Sequence, residues 1–369
     1  MRLVETSLSL SGTYLGKAIF NNKGQTLLNE GVQLDARLLQ RLIEMNIHYL
    51  YIQDRKTEDL ELHYPISMKL RRKAITSIQK HFDEIESNRQ FSNVLVLEKA
   101  AKSLIRIIRE IQAEIKDSQD LLALLSDVYT YDNYIFTHSL NVTMYSLAIG
   151  MKLKLREHEL ETLGLGALLH DVGKVKIPEE ILMKPERLTD EEFYQVKKHT
   201  VEGFELLRNI PSVTLIAAHC AYQHHERLNG SGYPRGIKGN EIHPFGKIIA
   251  VADVFDAVTT DRIYRQAMLP HEGLEILYSG SGTLYDQKTI EVFRQAVAVY
   301  PIGITVVLND GRKGVVCRQN IGLSDRPIVR VLEENGVEVT PYEIDLKTIL
   351  DVMIVACDTT FKKSSANLR

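Results

Sequence analysis

Residues 164–178, GLGALLHDVGKVKIP, place a histidine and an aspartate side by side directly after an apolar helical run. Burial removes the water that stabilises an imidazole or a carboxylate, so such a pair is costly inside a protein unless it binds something positive. The stretch therefore predicts that His170 and Asp171 form a cation-binding pair at the end of a helix.

Four other predicted helices carry the same kind of polar residue on an apolar background. These residues are His138, His199, the pair His224 and His225, and the pair Asp253 and Asp256, three apart on one helix face. One histidine on an apolar helix is more often a satisfied core residue than a ligand, but five such helices indicate a shared site. Imidazole and carboxylate suit Mn, Fe, Zn, Ni or Co, and the absence of nearby thiols argues against structural zinc.

The composition is that of a globular protein with two or three domains: 369 residues, of which 44% are hydrophobic and 25% are charged. A net charge of −3 without a basic block argues against binding a nucleic acid polymer. The start, MRLVETSLSL, lacks the features of a signal peptide, and no apolar run is long enough for a membrane span, so we expect a cytoplasmic protein. The three scattered cysteines exclude a disulfide framework.

The hydrophobic pattern predicts a mainly α chain in four segments. Residues 1–60 read as a small α/β module, with strands over 14–20 and 48–53 around a helix. Residues 61–120 form long connecting helices, which favour a homodimer. Residues 121–300 form a helical bundle, in which Thr189 and Glu192 open a helix that continues to Phe204. Residues 301–369 form a small β-domain with hairpin turns at Asp310-Gly311 and Asn335-Gly336.

Five ordered blocks within residues 121–300 resemble the HD-GYP subfamily of the HD metal-dependent phosphohydrolases. The blocks are His138, HDVGKVKIP, His199, HHERLNGSGYP and ADVFDAVTTDRIYR. The HD dipeptide alone is weak, but the complete order with Gly232-Tyr233-Pro234 is specific. The resemblance implies an HD-type helical bundle that hydrolyses cyclic di-GMP in bacterial second-messenger signalling.

The resemblance also implies a binuclear centre holding two divalent ions, Fe or Mn. One ion would be held by His138, His170, Asp171 and Asp253, and the other by His199, His224 and His225, with Asp171 bridging both. Lys174 would neutralise phosphate charge or assist the leaving oxygen; its alternative is a solvent-facing residue after a turn. Some members bind a third ion through a glutamate four residues before the first histidine. That position is Tyr134 here, which favours two ions.

The resemblance assigns further residues to the substrate. Tyr233, Arg262, Arg265 and Asp256 are expected to bind the dinucleotide, and the loop of Tyr233 is associated with diguanylate cyclase (GGDEF-type) partner domains. Gly230 and Gly232 are expected to adopt backbone conformations barred to other residues. A turn chosen for its geometry is the alternative for Tyr233, and ion pairs with acidic neighbours are the alternative for the two arginines.

Three functions fit the sequence. The first is cleavage of cyclic di-GMP to linear pGpG or onward to GMP. The second is a phosphohydrolase of the same superfamily that acts on another nucleotide or a phosphomonoester. The third is a catalytically weak receptor that binds the dinucleotide or a partner protein.

Overall fold

The computed structural model of this protein describes residues 1–20, 26–45, 47, 49–60, 66–87, 94–117, 134–184, 186–260, 268, 270–297, 300, 302–320 and 322–357. They fall into two compact units. The first unit combines the described residues before residue 64 with those after residue 297, and the second contains the described residues between them. The second unit is thus inserted in the chain between the two parts of the first.

The first unit contains the β-strands and one helix. Its elements are β1 (Arg2–Glu5), β2 (Ile19–Phe20), β3 (Thr26–Leu28), α1 (Ala36–Glu44), β4 (Tyr49–Ile52), β5 (Thr305–Leu308), β6 (Arg312–Arg318), β7 (Ile328–Glu334), β8 (Val337–Asp345) and β9 (Ile354–Cys357). β1 pairs with β4, β2 pairs with β3, and the other strands form an antiparallel sheet in the order β8-β7-β6-β5-β9.

The two parts of the first unit are joined by packing and by hydrogen bonds. Leu60 packs in one cluster with Val315 and Cys317 of β6. The backbone N–H of Leu3 donates to the carbonyl of Gly303 at 2.8 Å. The C-terminal sheet therefore contacts residues that come before the helical unit in the sequence.

The second unit is built from helices. They are α2 (Met68–Ser87), α3 (Val94–Asp117), α4 (Tyr134–Lys152), α5 (Glu157–Leu168), α6 (Glu179–Leu182), α7 (Asp190–Lys197), α8 (His199–Leu207), α9 (Leu215–Gln223), α10 (Pro244–Thr259), α11 (Pro270–Ser279) and α12 (Gln287–Ala296). Among the described residues, no helix combines the length and the apolar character that crossing a bilayer requires.

Helix packing in this unit brings five helix ends together. α5 lies against α3, α4 and α9, while α10 lies against α4 and α9. Close approach is possible where α5 carries glycine: a Cβ on Gly166 would lie 2.6 Å from Sγ of Cys220, and one on Gly164 would lie 2.8 Å from Cγ2 of Ile108. Residues on or next to α4, α5, α8, α9 and α10 form the polar cluster described below.

The mainly helical fold and the C-terminal antiparallel sheet are confirmed. Both predicted hairpin turns are present, and Gly311, Asn335 and Gly336 have the positive φ angles that such turns require. The strand predicted over 14–20 is wrong in extent, because only Ile19–Phe20 is a strand, while Tyr14 and Leu15 form isolated bridges. Strand β9 was not predicted, since four apolar residues without a turn signal give no periodicity. The four segment boundaries stay a prediction.

The apolar stripe of α3 gives a matched test of the helical core. Leu104 is 1% exposed and Leu95, on the same helix, is 79% exposed. We expect Leu104→Ala to lower the free energy of unfolding by about 2–5 kcal/mol, because it leaves a cavity. Leu95→Ala should change it by less than about 0.5 kcal/mol. Urea unfolding followed by far-UV circular dichroism measures both, and equal losses in the two variants would contradict this packing.

Candidate metal centre

The structure brings the predicted metal ligands together at one end of the helical unit. They are His138 on α4, His170 and Asp171 directly after α5, His199 at the start of α8, His224 and His225 directly after α9, and Asp253 on α10. Two overlapping groups have ligand atoms within 4.8 Å of one another: Asp171 with His199, His224 and His225, and Asp171 with His138 and His170.

Asp171 belongs to both groups because its two oxygens face in different directions. Oδ2 lies 3.4 Å from Nε2 of His170 and 3.8 Å from Nε2 of His138. Oδ1 lies 3.4 Å from Nε2 of His199 and 3.8 Å from Nε2 of His224. The carboxylate therefore stands between two sets of imidazoles.

Asp253 also stands between the two sets. Its Oδ1 lies 3.2 Å from Nε2 of His138, and its Oδ2 lies 3.8 Å from Nδ1 of His225. The sequence prediction placed Asp253 with the first ion alone, whereas its oxygens face a histidine from each set.

Three of the histidines, His170, His199 and His224, present Nε2 to the centre because a main-chain carbonyl holds Nδ1. Nδ1 of His170 lies 2.7 Å from the carbonyl of Ala167, and Nδ1 of His224 lies 3.0 Å from that of Ala221. Nδ1 of His199 contacts the carbonyl of Val196 in the same way. A carbonyl only accepts, so Nδ1 carries the proton in each ring and Nε2 keeps its lone pair.

The Nε2 lone pairs of these histidines point towards one another, with no hydrogen-bond donor between them. Nε2 of His199 and Nε2 of His224 are 3.3 Å apart, and both are acceptors in this tautomer. In the described part of the chain, Nε2 of His170 and Oδ1 of Asp171 are buried without a hydrogen-bond partner. Facing acceptors in a buried site are costly unless a cation lies between them. The donor set therefore fits divalent metal ions.

The charge states of Asp171, His199, His224 and His225 also suit metal ligands. Burial lowers the pKa of His224 and His225 well below the usual value and that of His199 to about 4, so these rings are neutral. Burial also opposes the charged form of Asp171, but the charge of Lys174 holds its pKa well below normal. At His138 burial is outweighed by hydrogen bonds with Asp253 and Asp256, which raise its pKa to about 9.

Gly173 allows the turn after Asp171 to lie against the start of α8. A Cβ at this position would lie 2.0 Å from the carbonyl oxygen of His199 and 2.5 Å from the backbone nitrogen of Gly203. Both neighbours are main-chain atoms, so neither can rotate away. This contact sets Asp171 beside His199. The predicted single helix from Thr189 to Phe204 is wrong, since α7 ends at Lys197 and α8 begins at His199.

Lys174 lies on the more open side of the centre. Its Nζ donates to Oδ2 of Asp171 at 2.5 Å. The lysine side chain is 23% exposed, whereas that of Asp171 is 2% exposed. A mobile primary amine at this place can reach both the carboxylate and a ligand arriving from solvent.

The loop that contains Gly232-Tyr233-Pro234, called the GYP loop below, folds back over His224 and His225. The backbone N–H of Tyr233 donates to the carbonyl of His225 at 3.2 Å, and that of Arg235 donates to Oε1 of the buried Glu226 at 2.9 Å. The ring of Tyr233 lies 4.6 Å from the ring of His225. Gly230 has the expected positive φ, but Gly232 does not; a Cβ on Gly232 would lie 2.4 Å from the carbonyl oxygen of His225.

Two residues of α7 adjoin this loop and were missed by sequence reasoning. The Nζ of Lys197 lies 4.6 Å from the ring centroid of Phe193 and 5.4 Å from that of Tyr233. The two rings are 6.3 Å apart in an edge arrangement. Nothing in the sequence separates Lys197 from the other charged residues of this helix, because its position depends on the folded loop.

Asp256 does not fit the predicted contact with substrate. It is buried, its Oδ2 accepts from Nδ1 of His138 at 2.7 Å, and its Oδ1 accepts from Nδ2 of Asn141 at 2.8 Å. Both oxygens are thus engaged inside the protein. Asn141 was not predicted, although an amide three residues after His138 on an apolar helix is a comparable signal.

The remaining predicted residues are placed as follows. Arg262 and Arg265 lie outside the described residues, as does the side chain of Tyr134. The ring of His219 lies 4.9 Å from that of Phe204. All three cysteines are buried, and none of them forms a disulfide.

Comparison with known proteins identifies the family of this site. The family described as "HD domain" matches residues 106–289. Over 214 residues the chain is 35% identical to the cyclic di-GMP phosphodiesterase PA4108 of Pseudomonas aeruginosa, covering 58% of this chain and 51% of the relative. The chain belongs to the HD-GYP subfamily.

Two further relatives of the HD-GYP chain extend the comparison. A cyclic di-GMP phosphodiesterase of Thermotoga maritima is 36% identical over 201 residues, covering 54% of this chain and 53% of the relative. The 3'3'-cGAMP-specific phosphodiesterase 3 of Vibrio cholerae is 36% identical over 169 residues, covering 46% of this chain and 36% of the relative. The HD-GYP chain spans about half the length, or less, of these curated relatives.

The close contact at Gly173 gives a test of the HD-GYP site geometry. We expect Gly173→Ala to weaken Mn²⁺ binding by at least about tenfold, because the added methyl forces Asp171 away from His199, and displaced supporting groups cost 10–100-fold in metal affinity. Gly246→Ala is the control, since its Cβ would lie 3.2 Å from a side-chain atom of Gln223 and meet no backbone so closely. Calorimetric titration with Mn²⁺ measures both, and wild-type affinity in Gly173→Ala would refute the assigned contact.

Proposed function

We propose that this chain hydrolyses the phosphodiester bond of cyclic di-GMP at a two-metal centre. The observation that carries the proposal is the division of the Asp171 carboxylate, whose two oxygens face separate sets of imidazoles. A carboxylate can share its oxygens between two cations, whereas a neutral imidazole offers one lone pair. The names of two relatives as cyclic di-GMP phosphodiesterases support the substrate.

The proposed ligand sets follow the two sides of Asp171. His138 and His170 lie on one side of it, His199, His224 and His225 lie on the other, and Asp253 faces both His138 and His225. When bound, two divalent ions, proposed to be Fe or Mn, turn a water into a nucleophile at neutral pH and stabilise the attacking and leaving oxygens of an in-line displacement. The carbonyl-held tautomers keep each Nε2 ready to bind without reorientation.

Lys174 supplies a mobile cation beside the proposed ions. Its ammonium carries three donors and lies at the more exposed side of Asp171. We propose that it donates either to a phosphate oxygen of the substrate or to the leaving oxygen. In both roles the ammonium offsets negative charge that grows as the phosphodiester bond breaks.

Aromatic and basic side chains near the GYP loop suit the rest of a cyclic dinucleotide. Tyr233 and Phe193 offer ring faces or edges for a base, and Lys197 adds a positive charge between them. Arg262 and Arg265 stay predicted phosphate contacts. We also propose that the Tyr233 loop binds GGDEF-type domains and that the long helices form a homodimer. The proposed location is cytoplasmic.

A nucleotide panel tests the reaction. Purified protein loaded with Mn²⁺ or, without oxygen, with Fe²⁺ is incubated with cyclic di-GMP, 3'3'-cGAMP and a phosphomonoester, and products are separated by anion-exchange chromatography. We expect cyclic di-GMP to be opened fastest, to linear pGpG or to GMP. Faster cleavage of 3'3'-cGAMP would favour the second candidate, which the Vibrio cholerae relative suggests. Tight binding of cyclic di-GMP without any cleavage would favour a receptor.

A variant without the bridging carboxylate of Asp171 is the most direct test of the two-metal proposal. We expect Asp171→Asn to bind fewer than two Mn²⁺ ions per chain and to lose at least about a hundredfold in turnover, since even outer-shell partners of a metal cost 10–100-fold. The exposed Asp351 provides the matched control, Asp351→Asn. Metal content after dialysis and the initial rate are measured for both. Two tightly bound ions and normal turnover in Asp171→Asn would reject the two-metal proposal.

A further inference from the structure

A buried arginine of α2 ends a hydrogen-bond chain that leads to the metal centre. Nη2 of Arg71 donates to Oδ1 of Asn141 at 3.4 Å, and Nδ2 of Asn141 donates to Oδ1 of Asp256 at 2.8 Å. Oδ2 of Asp256 accepts from Nδ1 of His138 at 2.7 Å. All four side chains belong to residues that are at most 4% exposed. The chain links α2, α4 and α10 in three steps.

The donor and the acceptor of each hydrogen bond follow from the arginine, which lies at the far end from the metal centre. A guanidinium only donates, so the oxygen of the Asn141 amide must face Arg71 and the NH₂ group must face Asp256. With the amide reversed, two donors would oppose each other at Arg71, and an oxygen would face a carboxylate at Asp256. Arg71 therefore selects the one amide orientation that supports Asp256.

Asp256 in turn fixes His138. Its carboxylate accepts the proton on Nδ1, so Nε2 is the ring nitrogen that faces Asp253 and Asp171 and would bind an ion. A carboxylate behind a metal-binding imidazole holds the ring in place and makes it a stronger ligand. Here the carboxylate is itself buried, so its charge and its orientation both depend on what lies behind it.

The N-terminal part of α2 is held firmly enough to keep Arg71 in place. Leu70 and Ala74 on either side of it are buried. The side chain of Ser67, just before the helix, donates to Oε1 of Glu114 on α3 at 3.0 Å, and Nζ of Lys73 donates to Glu110 at 2.6 Å. Helix α2 also lies against α4 and against the turn that carries Lys174.

We propose that Arg71 is a positioning residue for the metal centre: through Asn141 and Asp256 it sets the orientation of His138, so that α2 controls the affinity of the ion on the His138 side. The inference rests on the proposed function only in requiring that the centre binds metal. It gives the long helix α2, which the sequence described as connecting, a direct contact with the site.

Equilibrium binding of Mn²⁺ to metal-free protein tests this role, with free Mn²⁺ followed by its electron paramagnetic resonance signal. We expect wild-type protein to bind two ions. Arg71→Met should weaken one of them by about tenfold, at the low end of the effect of outer-shell partners, and leave the other unchanged. Arg71→Lys keeps the charge and a donor and should recover most of the loss. Arg72→Met, at the exposed neighbouring position, should bind as the wild type does.

Turnover and a second variant separate positioning from a general structural role. With Arg71→Met, kcat should fall at limiting Mn²⁺ and return at excess Mn²⁺, with KM unchanged. Asn141→Ala breaks the same chain at another link, so it should weaken the same ion, and the double variant should be no weaker than Asn141→Ala alone. If Arg71→Met does not fold, Asn141→Ala and Arg71→Lys still decide the result.

The outcomes distinguish this inference from the proposed function. Wild-type protein that binds no Mn²⁺ would overturn the metal centre and the inference together. Two ions in the wild type with unchanged affinities in folded Arg71→Met or Asn141→Ala would overturn the inference alone. Equal weakening of both ions, or additive losses in the double variant, would also overturn it.

Discussion

The buried carboxylate of Asp171 is the constraint on which the rest of the helical unit depends. A charge withdrawn from water has to be matched inside the protein, and its two oxygens need partners on opposite sides. Those partners come from three helices besides α5, so the site exists only when α4, α8 and α9 are all in place. The short approaches at Gly164, Gly166 and Gly173 bring these elements close enough.

Orientation of the imidazoles is a property of the backbone at helix ends and first turns. His170, His199 and His224 each use a carbonyl three residues earlier, a group that is available where a helix ends. His138 lies on α4 and uses Asp256 instead, which makes its orientation depend on side chains from other helices. His170, His199 and His224 are therefore held by local geometry, and His138 is held by a longer network.

The sequence predicted those positions at which a polar side chain would be costly to bury. An imidazole on an apolar helix needs an explanation, which is why His138 and the histidine pair could be recognised, and Asn141 could have been recognised by the same argument. Arg71 could not, because nothing in LRRK separates it from Arg72 until α2 packs. The role of Gly173 and the break at Lys198 also depend on two backbones meeting, which a single segment does not reveal. β-turn residues, by contrast, act locally, and both hairpins were predicted.

The split first unit has a consequence for the order of events during synthesis. Leu60 packs against Val315 and Cys317, and Leu3 bonds to Gly303, so these contacts wait for residues made about 250 to 300 positions later. The helical unit needs no residue beyond position 297 and is ready to fold as an independent body first. Until the last strands emerge, the N-terminal segment keeps an apolar face uncovered, and this interval is where a nascent chain of this design is most exposed to chaperones and proteases.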